Sequence, residues 1–342
     1  MAFDAIELCA GAGGQALGLE GAGFHHRAAV EYEPQFCTTL RTNRPSWNVL
    51  QQDIRHFRAK DFQGVDLVAG GVPCPPFSIA GKQLGESDER DMFPTALEIV
   101  AESKPRAVML ENVPGLASEK FRAYREKLRK TLNKLGYQTE WKILQASDYG
   151  VPQLRPRFIL VALRPGDAEH FSWPVKVGRV ITVGEALVGL MGESGWLGAE
   201  AWARKAQSVA PTLVGGSKKH GGPDLGPTRA KLKWKALGVD GMGIGDDTPS
   251  ATFPSDGMPR LTIPMVARIQ GFPDNWKFTG KKTAAYRQIG NAFPPPVARA
   301  VGLSIIAAFE RRAKPVGMEL ELKLLENAPD YKKLCPKKAR KH

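Results

Sequence analysis

Residues 10–14 read AGAGG, and they stand between an apolar run, Phe3–Cys9, and a helical pattern, Gln15–Gly21. A glycine turn joining a strand to a helix leaves backbone N–H groups free at the helix start and lets a ligand approach the main chain. That turn commits the chain to a βαβ beginning. The pattern then repeats. Further strands are predicted at Arg27–Glu31, around Val49, and at Asp66–Gly70, Arg106–Leu110 and Phe158–Leu163, with helical spacing between them. The expected fold class is α/β, with a doubly wound, Rossmann-like and mostly parallel sheet. Glu31 closes the second strand, where a carboxylate can bind ribose hydroxyls, and Asp53 follows the third. These features predict a nucleotide cofactor without separating a nicotinamide from an adenosyl one.

Within this first region, Ser118 is placed to cap a helix whose Phe121, Tyr124, Leu128, Leu132 and Leu135 recur at three- and four-residue steps, with Gly136 ending it. From about residue 166 to 257 the character changes. Glycine and proline are frequent, and basic residues cluster at Lys218, Lys219 and His220, then at Arg229, Lys231, Lys233 and Lys235. A smaller, loop- and strand-rich second domain is expected there. Helical patterning returns at Thr262–Gln270 and Pro296–Arg312, and the chain closes on KKLCPKKARKH. The division expected is 1–165 for the cofactor-binding catalytic domain and 166–280 for the second domain. Residues 281–315 are expected to return to the first domain, and 316–342 to form a disordered basic tail.

The formal net charge of +13 favours a polyanionic partner, because neutralising phosphates releases condensed counterions. The start, MAFDAIELCAGAGG, lacks the basic flank of a secretory signal, and no run approaches the roughly 20 apolar residues of a membrane helix. A soluble, cytoplasmic protein is expected. Its four cysteines, Cys9, Cys37, Cys74 and Cys335, form no CxxC pair, which disfavours a metal site and a disulfide framework.

Three segments carry chemistry. In GGVPCPPFS, residues 70–78, a predicted strand delivers Cys74 to the carboxyl end of the sheet, where doubly wound folds place their ligands. Prolines 73, 75 and 76 stiffen the backbone around it, and the polar stretch Ile79–Arg90 has the makings of a lid. Glu111, in LENVPG, ends the next strand and so brings a carboxylate to the same rim as the thiol. In QLRPR, residues 153–157, Arg155 and Arg157 are two apart on an extended segment and point to one side, suited to a phosphate or a base carbonyl.

Together these segments resemble the DNA cytosine-5 methyltransferase family. ELCAGAGG at 7–14 is similar to its cofactor motif and GGVPCPPFS at 70–78 to its Pro-Cys motif. ENV at 111–113, QLRPR at 153–157, RLTIPMVARIQGFPD at 260–274 and YRQIGNAFPPPVARAVG at 286–302 follow in the family's order. Two positions depart from it: Cys9 stands where phenylalanine is usual, and Pro75 where glutamine is frequent.

The resemblance implies a class I methyltransferase that uses S-adenosylmethionine, leaves S-adenosylhomocysteine and acts on double-stranded DNA. Cys74 is then the nucleophile, Glu111 faces the N3/N4 edge of a flipped-out cytosine, Arg157 meets its O2, and Arg155 assists. Cys9, Gly11, Ala12, Gly13, Gly14, Glu31, Tyr32, Asp53, Ile54, Pro73, Met92 and Asn291 would form the cofactor site. Ser78, Gln153, Ser217, Lys218, Lys219, His220 and Arg229 would meet DNA. A monomer without a metal is expected, and the resemblance allows a cognate restriction endonuclease in the same system. A tRNA-methylating relative shares the catalytic motifs. A nicotinamide-dependent oxidoreductase shares only the glycine turn and Glu31.

Overall fold

The computed structural model describes residues 3–73, 91–215 and 224–311. Cys74, Ser78, the segment Ile79–Arg90, Ser217, Lys218, Lys219, His220 and the tail 316–342 lie outside the described residues.

Seven strands form one sheet in the order β3-β2-β1-β4-β5-β7-β6. They are β1 (Phe3–Leu8), β2 (Phe24–Glu31), β3 (Val49–Gln51), β4 (Leu67–Gly70), β5 (Ala107–Asn112), β6 (Gln138–Gln145) and β7 (Pro156–Leu163). The first five run parallel, while β7 runs antiparallel to both β5 and β6. Strand order reverses on either side of β1 and β4, and that switch point opens a crevice at their carboxyl ends.

Alternation within β1 divides the core. Ile6 and Leu8 face one side with Val68, Val108 and Leu110, covered by α3 (Phe93–Ser103) and α4 (Arg122–Lys134). Ala5 faces the other side with Leu67, Ala69 and Met109, beneath α1 (Gly14–Ala22) and α11 (Pro295–Phe309). Helix α2 (Pro34–Asn43) follows β2. The helix predicted from Ser118 starts later. Its first turn is a 3-10 turn at Glu119–Phe121, and the Ser118 side chain makes no cap. Gly136, with φ +86°, terminates that region as expected.

The second region departs from expectation. Among the described residues it carries helices in place of strands: α5 (Pro165–Ala168), α6 (Val183–Gly192), α7 (Ala199–Lys205) and α8 (Thr228–Ala236), while α9 (Ile263–Gln270) falls where helical patterning was expected. Extended pairing there is limited to the isolated bridges Gln153↔Ala210 and Gly195↔Ser250. Frequent glycine and proline interrupt ladders. A capping box, Thr182 with Glu185, nucleates α6, and TVGE at 182–185 is its sequence signature. Trp196, Trp202 and Trp234 are buried in an apolar cluster that also takes in Ala10, Leu40 and Val49, so this region packs directly on the sheet domain.

The run Lys282–Phe309 comprises α10 (Lys282–Asn291) and α11, and it is long and apolar enough to cross a membrane. Its most apolar window is 83% buried inside the fold, so core packing accounts for its hydropathy.

Candidate active site

A cavity of about 740 Å³ opens at the switch point. Its size falls within the ordinary range for small-molecule sites. Cys9, Gly11, Ala12, Gly14, Glu31, Tyr32, Asp53, Ile54, Pro73, Met92, Glu111 and Asn291 all line it.

The glycine turn builds one wall. Gly11 has φ +56°, a left-handed conformation that favours glycine, and a Cβ there would project into open space. Gly14 is required for a different reason. A Cβ on it would come within 2.2 Å of the Phe293 carbonyl oxygen, so only glycine lets α1 meet the start of α11. Gly13 belongs to the turn but packs away from the cavity, against Leu40 and Trp276.

Glu31 ends β2 beside this turn. Its carboxylate accepts hydrogen bonds from the backbone N–H groups of Gly11 at 2.7 Å and Glu33 at 2.7 Å. Burial raises its pKa, and those donors pull it partly back. Tyr32 follows, 69% exposed at the cavity mouth. Asp53 accepts from the Arg55 guanidinium, at 3.0 Å from Nε and 2.6 Å from Nη2, which lowers its pKa. Burial foremost, and then the charges of Glu31, Glu7 and Asp53, hold the Cys9 thiol far above the ordinary range. That environment disfavours the thiolate, the nucleophilic form.

At the opposite wall, Glu111 at the end of β5 forms an ion pair with Arg157 at the start of β7, 2.7 Å between Nε and Oε1. Burial raises the Glu111 pKa, while the nearby guanidiniums of Arg157 and Arg155 lower it. Beside it, the Asn112 side-chain amide donates to the Val72 carbonyl at 3.0 Å, and the Met92 N–H donates to the Pro73 carbonyl at 3.1 Å. Pro73 and Met92 are thereby tied together at the cavity rim, next to Glu111.

Two expectations are corrected. Gln153, expected to meet DNA, is fully buried. Its amide donates to the Ile269 carbonyl and the Gln270 side chain and accepts from the Leu213 N–H, so its hydrogen-bonding atoms serve the interior. Arg155, expected among the catalytic groups, is 1% exposed and absent from the cavity wall. It donates to the carbonyls of Leu213, Gly290 and Ala292, which spends its guanidinium on the backbone either side of Asn291. Arg229 lies exposed in the first turn of α8.

The cavity also holds residues that the motif reading passed over, among them Glu7, Gln15, Phe36 and Gln288. Glu7 and Gln15 flank the glycine turn, and a carboxylate inside the apolar run Phe3–Leu8 is the sequence signal that marks Glu7.

The sequence profile of the family described as C-5 cytosine-specific DNA methylase matches residues 3–307. The chain is 56% identical over 310 residues to the Type II methyltransferase M.NaeI of Lentzea aerocolonigenes, covering 90% of this chain and 75% of that protein. It is 53% identical over 314 residues to the Type II methyltransferase M.NgoMIV of Neisseria gonorrhoeae, covering 91% and 99%. Among solved structures, a Spodoptera frugiperda DNMT2 variant superposes with a TM-score of 0.62 at 18% identity, covering 89% of this chain and all of that one, a likeness of fold. With its sheet order, its crevice and these relatives in agreement, the chain belongs to the C-5 cytosine-specific DNA methylase family and is a DNA cytosine-5 methyltransferase.

Proposed function

We propose that the protein transfers a methyl group from S-adenosylmethionine to C5 of a cytosine flipped out of duplex DNA, through a covalent bond between Cys74 and C6. The observation that carries this reading is the Glu111–Arg157 pair in the wall of the cavity that also contains the glycine turn, Glu31 and Pro73.

The cavity fits the cofactor on its own chemistry. Gly11 leaves a cradle that a Cβ would fill, and Glu31 puts a carboxylate beside it for ribose hydroxyls. Gln15 is buried at the wall with both amide atoms unpartnered, which leaves a donor and an acceptor to spare. Ala12 and Gly14 would hold the methionine end, Tyr32, Asp53 and Ile54 the adenine, and Pro73, Met92 and Asn291 the remaining wall. When bound, S-adenosylmethionine supplies an electrophilic sulfonium methyl.

Cytosine C5 is a weak carbon nucleophile. Attack of the Cys74 thiolate on C6 makes C5 electron-rich enough to take the methyl, after which the C5 proton leaves and the thiolate is expelled. Glu111, once protonated, donates to N3 and accepts from the N4 amino group, and Arg157 meets O2, so charge that develops on the ring is stabilised in a dry pocket. A stacked base cannot reach these groups. Flipping costs a few kcal/mol, recovered by contacts in the pocket. Arg229 and the basic residues Lys218, Lys219 and His220, with Ser217 and Ser78, are proposed to contact the duplex.

Incubation with labelled S-adenosylmethionine and either plasmid DNA or tRNA tests the reading. Label is expected in DNA as 5-methylcytosine, and label in tRNA alone overturns it. The cofactor assignment has its own test. Glu31→Gln should weaken S-adenosylmethionine binding about tenfold or more by calorimetry, since an amide cannot accept from two backbone donors and a ribose as a carboxylate does. Unchanged affinity would remove Glu31 from the site.

A further inference from the structure

The cavity holds a second carboxyl that this mechanism does not use. Glu7 of β1 lies opposite Ala69 of β4, which lies opposite Met109 of β5. Residues two apart on a strand share a face, so Glu111 faces the same side of the sheet as Glu7. Between them stand only the small residues Ala69 and Gly71, and Glu7, Gly71 and Glu111 line one cavity. Glu7 is 1% exposed, and its Oε2 has no hydrogen-bond partner. Gln15 of α1, at the same cavity, is likewise unpartnered. The nearby cations are engaged elsewhere, Arg157 with Glu111 and Arg155 with backbone carbonyls.

An ionised carboxylate stranded in such a place is costly. Burial, and then the charge of Glu111, push the Glu7 pKa well above the ordinary carboxyl range. Glu111 has a cation and Glu7 has none, so of the two Glu7 is the one that keeps a proton. Among the described residues, the other charged or titratable groups in this neighbourhood are Cys9, Glu31, Tyr32, Glu33, Asp53 and Arg55 on the cofactor side and Arg155 and Arg157 on the β7 side, while α1 presents the neutral Gln15.

We propose that Glu7 is a positioning residue that supplies Glu111 with its proton when cytosine enters the cavity, the two carboxyls sharing one proton between them. The inference rests on the methyl-transfer reading above. As the Arg157 guanidinium turns from Glu111 to the base O2, Glu111 loses its counter-ion and becomes more basic. One proton then leaves the Glu7 carboxyl and bonds to the Glu111 carboxylate. Glu7 takes up the negative charge that Glu111 gives up, and the net charge of the pocket is unchanged. Product release restores the Glu111–Arg157 pair and returns the proton.

Difference infrared spectroscopy of the full-length protein without substrate tests the shared proton, since a protonated carboxyl in a dry site has its own C=O band. The band is expected in the wild type at neutral pH and absent in Glu7→Gln. In Glu111→Gln it should titrate at lower pH, because the neighbouring charge is gone. Stability gives the same sign. The folded state keeps a proton that the unfolded chain releases, so stability falls as pH rises from the ordinary carboxyl range through the raised Glu7 pKa, and Glu7→Gln removes that fall.

For DNA methylation at saturating S-adenosylmethionine, Glu7→Gln should lose kcat about tenfold above neutral pH, with the alkaline limb of the profile moved to lower pH. Glu7→Asp should restore the limb. A wild type without the band, a Glu111→Gln band at an unshifted pH, or a Glu7→Gln profile that superimposes on the wild type each overturns the proposal. The infrared and stability arms need no substrate. Failure of DNA methylation would therefore leave them intact and strike the functional reading alone.

Discussion

Cys74→Ser lowers methyl transfer to DNA by at least about three orders of magnitude, while S-adenosylmethionine binding, measured by calorimetry, stays within about twofold of the wild type. A thiol titrates near 8.5 and presents a usable fraction of thiolate near neutral pH, whereas a serine hydroxyl has no such fraction and is a poor leaving group in the final elimination. The described cavity supports the separation of the two effects. Its cofactor wall includes Gly11, Glu31, Asp53 and Asn291, none of which depends on the residue 74 sulfur. Cys9 lines the cavity, but burial and neighbouring carboxylates disfavour its thiolate, so it is a poor substitute. A second measurement sharpens the test. DNA with 5-fluorocytosine at the target should trap a covalent complex with the wild type and none with Cys74→Ser, because fluorine replaces the proton that must leave. Retained turnover in the serine variant, or a wild type that traps nothing during turnover, sinks the covalent route.

Much of this site could be read before any coordinates because its groups sit at strand ends in a repeating βαβ pattern. Glu31, Pro73 and Glu111 each follow an apolar run that has no choice but to be a buried strand, and a parallel sheet sends such ends to one rim. Strand direction was less legible. Apolar alternation carries no arrow, so Phe158–Leu163 was recognisable as a strand while its antiparallel pairing with β5 was not. Edge strand β6, QTEWKILQ, escaped altogether, since Trp141 and Ile143 remain exposed and nothing marks it as core. Gln153 and Arg155 were misplaced for a physical reason. Polar side chains are usually at the surface, and the exceptions are the ones whose partners are supplied by tertiary structure. Their partners lie 58 to 137 residues away along the chain. No local pattern encodes that distance.

Arg155→Ala should destabilise the protein by about 3–5 kcal/mol in urea unfolding, the range for breaking a buried charged network. The guanidinium donates to three buried carbonyls at 2.6, 2.7 and 3.0 Å, those of Leu213, Gly290 and Ala292. Alanine strands the Leu213 and Gly290 carbonyls, each at a cost of about 1–3 kcal/mol, while the Ala292 carbonyl keeps the Gln270 amide, and it leaves a void where an Arg side chain was packed. Against this stands the relief of desolvating a cation, a cost large enough to push the Arg155 pKa well below its ordinary value. Repulsion from Arg157 is relieved too. Those gains are partial, because Arg155 also stabilises the charge on Glu111. The orphaned carbonyls therefore decide the sign. Arg155→Lys should recover only part of the loss, since one compact ammonium cannot span three acceptors that a planar fork reaches together. Two of those carbonyls flank Asn291 in the cavity wall, so the lysine variant should also bind S-adenosylmethionine more weakly while remaining folded. A lysine variant as stable as the wild type would mean that the clamp holds nothing, and that Arg155 serves the reaction through its charge on Glu111 alone.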